Sequence, residues 1–137
     1  MIFLHGNPNT EVMKSTDGTT WTKHTLAGSL PSGTERVDGV SPDNSGGYVA
    51  TTNFAFSYKS SDGITWGTRV NIGGSGPLKQ DTNLTSGNIS TCTNTFRYTT
   101  NGGTSWNTPT SDEGTNFFRE IIHLGDGSPG TWLTTSS

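Results

Sequence analysis

Three stretches of the chain spell nearly the same turn: KSTDGTTW at 14–21, KSSDGITW at 59–66 and YTTNGGTSW at 98–106. Their tryptophans, Trp21, Trp66 and Trp106, stand 45 and then 40 residues apart. Recurrence at that spacing marks stacked supersecondary units such as propeller blades, in which each unit buries its apolar face against a neighbour. A second register runs alongside the first. GYVATTN (47–53), GNISTCTN (87–94) and GTWLTTSS (130–137) share a glycine, a central apolar residue and a threonine-rich tail. Eleven residues before two of those glycines stand Arg36 and Arg119.

Each unit reads as four short strands, rich in β-branched and aromatic residues and punctuated by Gly, Pro, Asn and Asp. In the second unit the pattern predicts strands at about 35–41, 47–53, 54–61 and 65–71, and in the third at about 78–84, 87–93, 95–100 and 105–110. No helical periodicity is present, so the expected class is all-β. The units span about 1–30, 34–72, 77–111 and 117–137 of one domain. MIFLHG reads as a second strand of the first unit, and the last unit stops after two strands. N-terminal strands are therefore expected to complete the C-terminal unit, giving about three blades per chain of four antiparallel strands each.

The repeated turn has a mechanism. Asp17, Asp62 and Asn101 accept hydrogen bonds from backbone N–H groups of their own turn, with Ser15, Ser60 and Thr99 two residues before them. Gly18, Gly63 and Gly103 (or Gly102) supply the positive φ of a tight hairpin. The tryptophan that follows buries its ring beneath the turn, its N–H free to reach a carbonyl. These residues resemble the Asp-box (BNR) motif, S/T-x-D/N-x-G-x-T/S-W, of sialidase-like β-propellers. TTNGGTSW (99–106) matches at full length, and the other two are one residue shorter between Asp and Trp. In that family the boxes lie on the propeller rim, so the resemblance implies a structural role for them and a bladed fold.

Composition removes several function classes. A net charge of −3, with eight dispersed basic residues, gives no electrostatic case for nucleic acid or an anionic membrane surface. Cys92 is alone, which excludes an intrachain disulfide and a cysteine-based metal site. His5, His24 and His123 have no ligand spacing, so neither metal nor cofactor is expected. No apolar run approaches the roughly 20 residues of a membrane span, and MIFLHG is too short for a signal-peptide core. Serine and threonine make up roughly 30% of the chain while only 14% is charged, a profile that suits a turn-rich β protein better than a disordered one.

The family's enzymes resemble one another in an arginine triad, a Phe-Arg-Ile-Pro type motif and a Tyr/Glu nucleophile pair. FFREII (117–122) holds Phe118 and Arg119, but Glu120 follows where an aliphatic residue belongs, and no proline comes next. Tyr48, Tyr58 and Tyr98 lie near turns, so no Tyr/Glu pair is assignable. Other glycosidases need two carboxylates roughly 5 to 10 Å apart, and only Asp38, Asp81, Glu120 and Asp126 stand near predicted innermost strands. A catalytic reading is therefore not expected. Alternation does put Arg36 with Asp38, Lys79 with Asp81, and Arg119 with His123 on innermost strands. They form either a polar ligand site or a solvated channel wall with internal ion pairs. Trp132 is either a sugar platform or a filler between blades.

Two function classes remain. Thr/Ser/Gly/Asn-rich β chains with Asp boxes resemble bacteriophage virion components on tails and capsids, which implies a non-enzymatic structural or attachment protein at a virion or extracellular surface, or otherwise in the cytoplasm. The alternative is a glycan-binding, lectin-like propeller; a sialidase-like glycosidase ranks third. Closed propellers have about four to eight blades, so the expected partners are further copies of the chain or a larger protein assembly. A cell-surface glycan is the other candidate partner, and neither nucleic acid nor membrane insertion is expected.

Overall fold

The computed structural model describes residues 2–5, 11–26, 35–43, 45–73, 79–83, 88–92, 96–108, 118–123 and 132–136, with side chains at 11–26, 35–43, 45–73 and 97–108. Its described part is all-β, made of antiparallel sheets with no helix. No described helix is long and apolar enough to cross a membrane.

Four sheets follow one another along the chain. The first runs β1 (Ile2–His5), β2 (Glu11–Ser15), β3 (Thr22–Thr25) in that order. The second has four strands, β4 (Val37–Pro42), β5 (Tyr48–Thr52), β6 (Phe56–Ser60) and β7 (Val70–Asn71), each paired with the next. The third runs β8 (Lys79–Asn83), β9 (Asn88–Cys92), β10 (Phe96–Thr99), and a single bridge between Tyr98 and Asn107 stands where a fourth strand was expected. The last pairs β11 (Phe118–His123) with β12 (Trp132–Ser136). In every described sheet, strands consecutive in sequence pair antiparallel.

First strands of successive sheets are neighbours: β4 lies beside β8, and β8 beside β11. β1 also lies beside β4, as β9 lies beside β11. The main core fills the seam between the first two sheets. Val12 and Leu26 from the first meet Val37, Ala50, Tyr58 and Trp66 from the second in one buried cluster. A smaller cluster sets Ala55 and Ile72 of the second unit against Trp106 of the third. The chain therefore buries apolar surface between sheets, unit against unit, as an array of thin repeats must.

Both bulges fall on first strands. Pairing shifts between Val37 and Gly39 in β4, and between Phe118 and Glu120 in β11, leaving Asp38 and Arg119 as the extra residues. This changes one expectation, because alternation does not carry across a bulge. A face shared by Arg119 and His123 therefore does not follow from their spacing.

Candidate functional site

The three Asp-box turns are fastened by the same bonds. In the first, the Ser15 hydroxyl donates to Asp17 Oδ1 (3.0 Å) and accepts from the Gly18 N–H (2.8 Å), while Asp17 Oδ1 accepts from the N–H groups of Thr19 (2.8 Å) and Thr20 (2.7 Å). Ser60 and Asp62 repeat this with Gly63, Ile64 and Thr65 at 2.8 Å each. In the third, Thr99 accepts from Gly103 (3.0 Å), and Asn101 accepts from the Ser105 N–H (3.0 Å) while its amide donates to the Ser105 hydroxyl (2.8 Å). The extra residue there is absorbed by two left-handed glycines, Gly102 and Gly103, in place of one.

These bonds set the titration of the two aspartates. The Thr20 and Thr19 N–H groups hold the Asp17 carboxyl well below the usual carboxylate range, and those of Thr65 and Ile64 hold Asp62 down to about 2. Asp43, in the β4–β5 turn, is raised by burial, but N–H groups of Ser45 and Gly47, the Ser45 hydroxyl and the Lys59 ammonium outweigh that and leave it lowered. A carboxyl lowered in the fold binds fewer protons there than in the unfolded chain, so stability rises with pH across that window. Stability is expected to be flat above about pH 5 and to fall between about pH 4 and pH 2. Replacing Asp17 and Asp62 by Asn, the residue already present in the third box, should flatten that fall in urea titrations run at stepped pH.

Each unit also grips the box of the next. Lys14 Nζ donates to the Asp62 carbonyl at 2.7 Å. Lys59 occupies the same place before its own box, and a Cβ built on Gly102 of the third box would lie 3.0 Å from its ammonium. Gly103 abuts Val49, whose methyl groups would lie 3.0 and 3.1 Å from a Cβ there. The Trp106 N–H donates to the Ser57 hydroxyl at 2.9 Å, a side-chain acceptor where a carbonyl was expected. Trp66 Nε1 is buried with no hydrogen-bond partner among the described residues. The repeat explains the contrast. Ser57 lies three residues before its box serine, and the residue in that place of the first unit is Val12, which carries no acceptor.

A cleft of about 430 Å³ opens between the 43–47 turn and the second box, lined by Asp43, Ser45, Gly47, Lys59, Ser60 and Thr65 among others. Its tightest point is Gly47, where a Cβ would stand 2.6 Å from the Ser60 carbonyl oxygen and 2.8 Å from Asp43 Oδ2. Gly47→Ala is expected to cost about 1–3 kcal/mol, as overpacking does where backbone must shift, read as a lowered urea midpoint at unchanged slope.

Of the ligand residues expected from sequence, Arg36 and Asp38 do meet: Arg36 Nε lies 3.0 Å from Asp38 Oδ1, and the Arg36 N–H donates to Asn53. Lys79 and Asp81 are on β8, Arg119 and His123 on β11, and Trp132 on β12 opposite His123. β8 lies beside β4, and β11 beside β8, but the side chains of these five residues lie outside the described residues, as does Asp126 altogether.

Sequence reading missed the most buried ionisable group among the described residues. Glu35, wholly inaccessible, accepts from the Thr52 hydroxyl at 2.7 Å, and Arg69 Nη1 stands 3.6 Å from its other oxygen. Arg69 also lies over the Phe56 ring, 3.8 Å from its centroid. Burial and the Glu35 charge push the nearby Tyr58 hydroxyl up, against the opposing pull of Arg69. Glu35 and Arg69 are 34 residues apart with no shared motif, so only the Glu-Arg-Val opening of the second unit marked the spot.

No known protein family, characterised protein or solved structure matches the chain.

Proposed function

We propose that this chain is a non-enzymatic structural module of a larger protein assembly, a bladed β protein whose sheets are completed by further protein. In this reading, composition and the Asp-box resemblance assign the assembly to the surface of a bacteriophage virion, on tail or capsid. The observation that carries the proposal is how the described polar side chains are spent. Asp17, Asp62 and Asn101 are bonded to their own turns. Asp43 is held by its own turn and Lys59, Glu35 is buried, and Lys14 ties one unit to the next. Such groups fasten sheets and offer a substrate little. Among the described residues the last sheet has two strands, β11 and β12, where the second has four, which suits a sheet that gains from completion.

A glycan-binding reading has one observation in its favour: the strands carrying Asp38, Lys79, Asp81, Arg119 and His123 lie side by side. Light scattering of the purified chain, with and without a glycan mixture, separates the two. A mass above the single chain's 14.5 kDa that glycans leave unchanged is the expected result. A single-chain mass, with a glycan response that Arg36→Ala abolishes, would replace the assembly reading with the lectin.

A further inference from the structure

We infer that the first Asp box is the docking site for a second copy of this chain, whose β10 covers it as β2 covers the second box and β6 the third. The inference rests on the assembly reading above and specifies its contact.

A related packing occurs twice within the chain, with the lysine bonded to the box carbonyl in the first case and paired with Asp43 over the box in the second. β2 of the first unit sends Lys14 to the Asp62 carbonyl and contributes Val12 to the cluster that buries Trp66. β6 of the second unit sets Lys59 against Gly102 and gives the Ser57 hydroxyl to Trp106, while its neighbour β5 packs Val49 on Gly103. The covered boxes are correspondingly dry: Gly63, Gly102 and Gly103 are buried, and Trp66 is only 3% exposed. The first box makes the same internal bonds, but no such cover is found among the described residues: Gly18, the counterpart of Gly63, is exposed, while Trp21 is half-buried, as Trp106 is.

The sequence holds three boxes and three strands that lead into them, and among the described residues the chain matches two of each. What is left there is one box, at 15–21, and one strand, β10. The residue before each box serine or threonine is Lys14, Lys59 or Tyr98. All three carry a hydrogen-bond donor at the end of a long side chain. Tyr98 of a second copy is therefore suited to the Asp17 carbonyl, as Lys14 is to the Asp62 carbonyl. The contact joins two different surfaces, so it is head-to-tail and builds a closed ring, or a filament where the rotation does not close.

Hydrogen exchange on the whole chain at low and high concentration, alongside sedimentation velocity, tests this. Amides 17–21 are expected to exchange about tenfold more slowly in the concentrated sample while amides 62–66 do not change. Gly18→Asn keeps the left-handed turn, which Asn tolerates, but adds a side chain on the open face. It should sediment as a single chain, and so should Tyr98→Ala. Mixing the two variants should restore one heterodimer, because each retains the surface the other lacks. Association undiminished by Gly18→Asn overturns the inference, as does a wild-type chain that stays single with no change at 17–21. Protection at a different segment overturns the docking site and leaves the assembly reading standing. Should Gly18→Asn lose the β-sheet circular dichroism signal, the wild-type exchange result decides alone.

Discussion

Arg69→Ala is expected to destabilise the fold by about 3 kcal/mol, the lower end of what breaking a buried ion pair costs, because the arginine itself is one-third exposed. The cost arises at Glu35. One of its oxygens has the Thr52 hydroxyl, but the other has no hydrogen-bond donor and depends on the guanidinium for compensation. Removing that charge strands a wholly buried carboxylate near Tyr58, where desolvation is not offset. Truncation also uncovers the Phe56 ring. Replacing both members, as Glu35→Met with Arg69→Met, should recover most of the loss, since an apolar pair of similar volume has no desolvation penalty. The check is urea unfolding of wild type, single and double variants at neutral pH. A single variant within about 0.5 kcal/mol of wild type would mean that water reaches Glu35 once the arginine is gone.

The strands and boxes were legible because their signals are local. A box needs its Ser or Thr, its Asp or Asn and its glycine within four or five residues, and the bonds found at Ser15, Ser60 and Thr99 close within that span. Strands β4 to β6 and β8 to β10 fall within the ranges that turn residues and β-branched runs marked, apart from one residue at the end of β4. The fourth strand of the first unit formed as β3, but those of the second and third units were overestimated. The run from 65 was expected to be strand, but Thr65 completes the box and Gly67 bonds back to Lys59, so only Val70–Asn71 pairs. The bulges at Asp38 and Arg119 were illegible for a different reason. A bulge is a count of residues against a partner strand, and a single sequence does not reveal the partner's count. The Glu35–Arg69 pair and the bare Trp66 N–H depend on which unit stacks on which. The strength of that stacking is open to direct measurement.

Trp66→Ala is expected to cost about 4 kcal/mol, in the range for emptying a buried tryptophan site. The ring closes the seam between the first two sheets, with Val12 and Leu26 on one side and Val37, Ala50 and Tyr58 on the other, and deletion leaves a cavity that two separate sheets must share. Trp66→Phe should cost much less than that, because it also removes an N–H that has no partner. Trp106→Phe forfeits a real bond and leaves the Ser57 hydroxyl without its donor. Trp21→Ala gives the comparison that matters. The same residue of the same motif, half-exposed and not covered by a preceding unit, should cost less than half as much in dilute solution. Urea midpoints for Trp66→Ala and Trp21→Ala then read the same turn with and without its neighbour, and their difference is the contribution of one unit packing on the next. Equal costs would show that the box tryptophans serve only their own turns, and the repeat would lose its role in holding unit to unit. A large difference makes each sheet's stability conditional on the sheet before it, as nearest-neighbour coupling in stacked repeats requires.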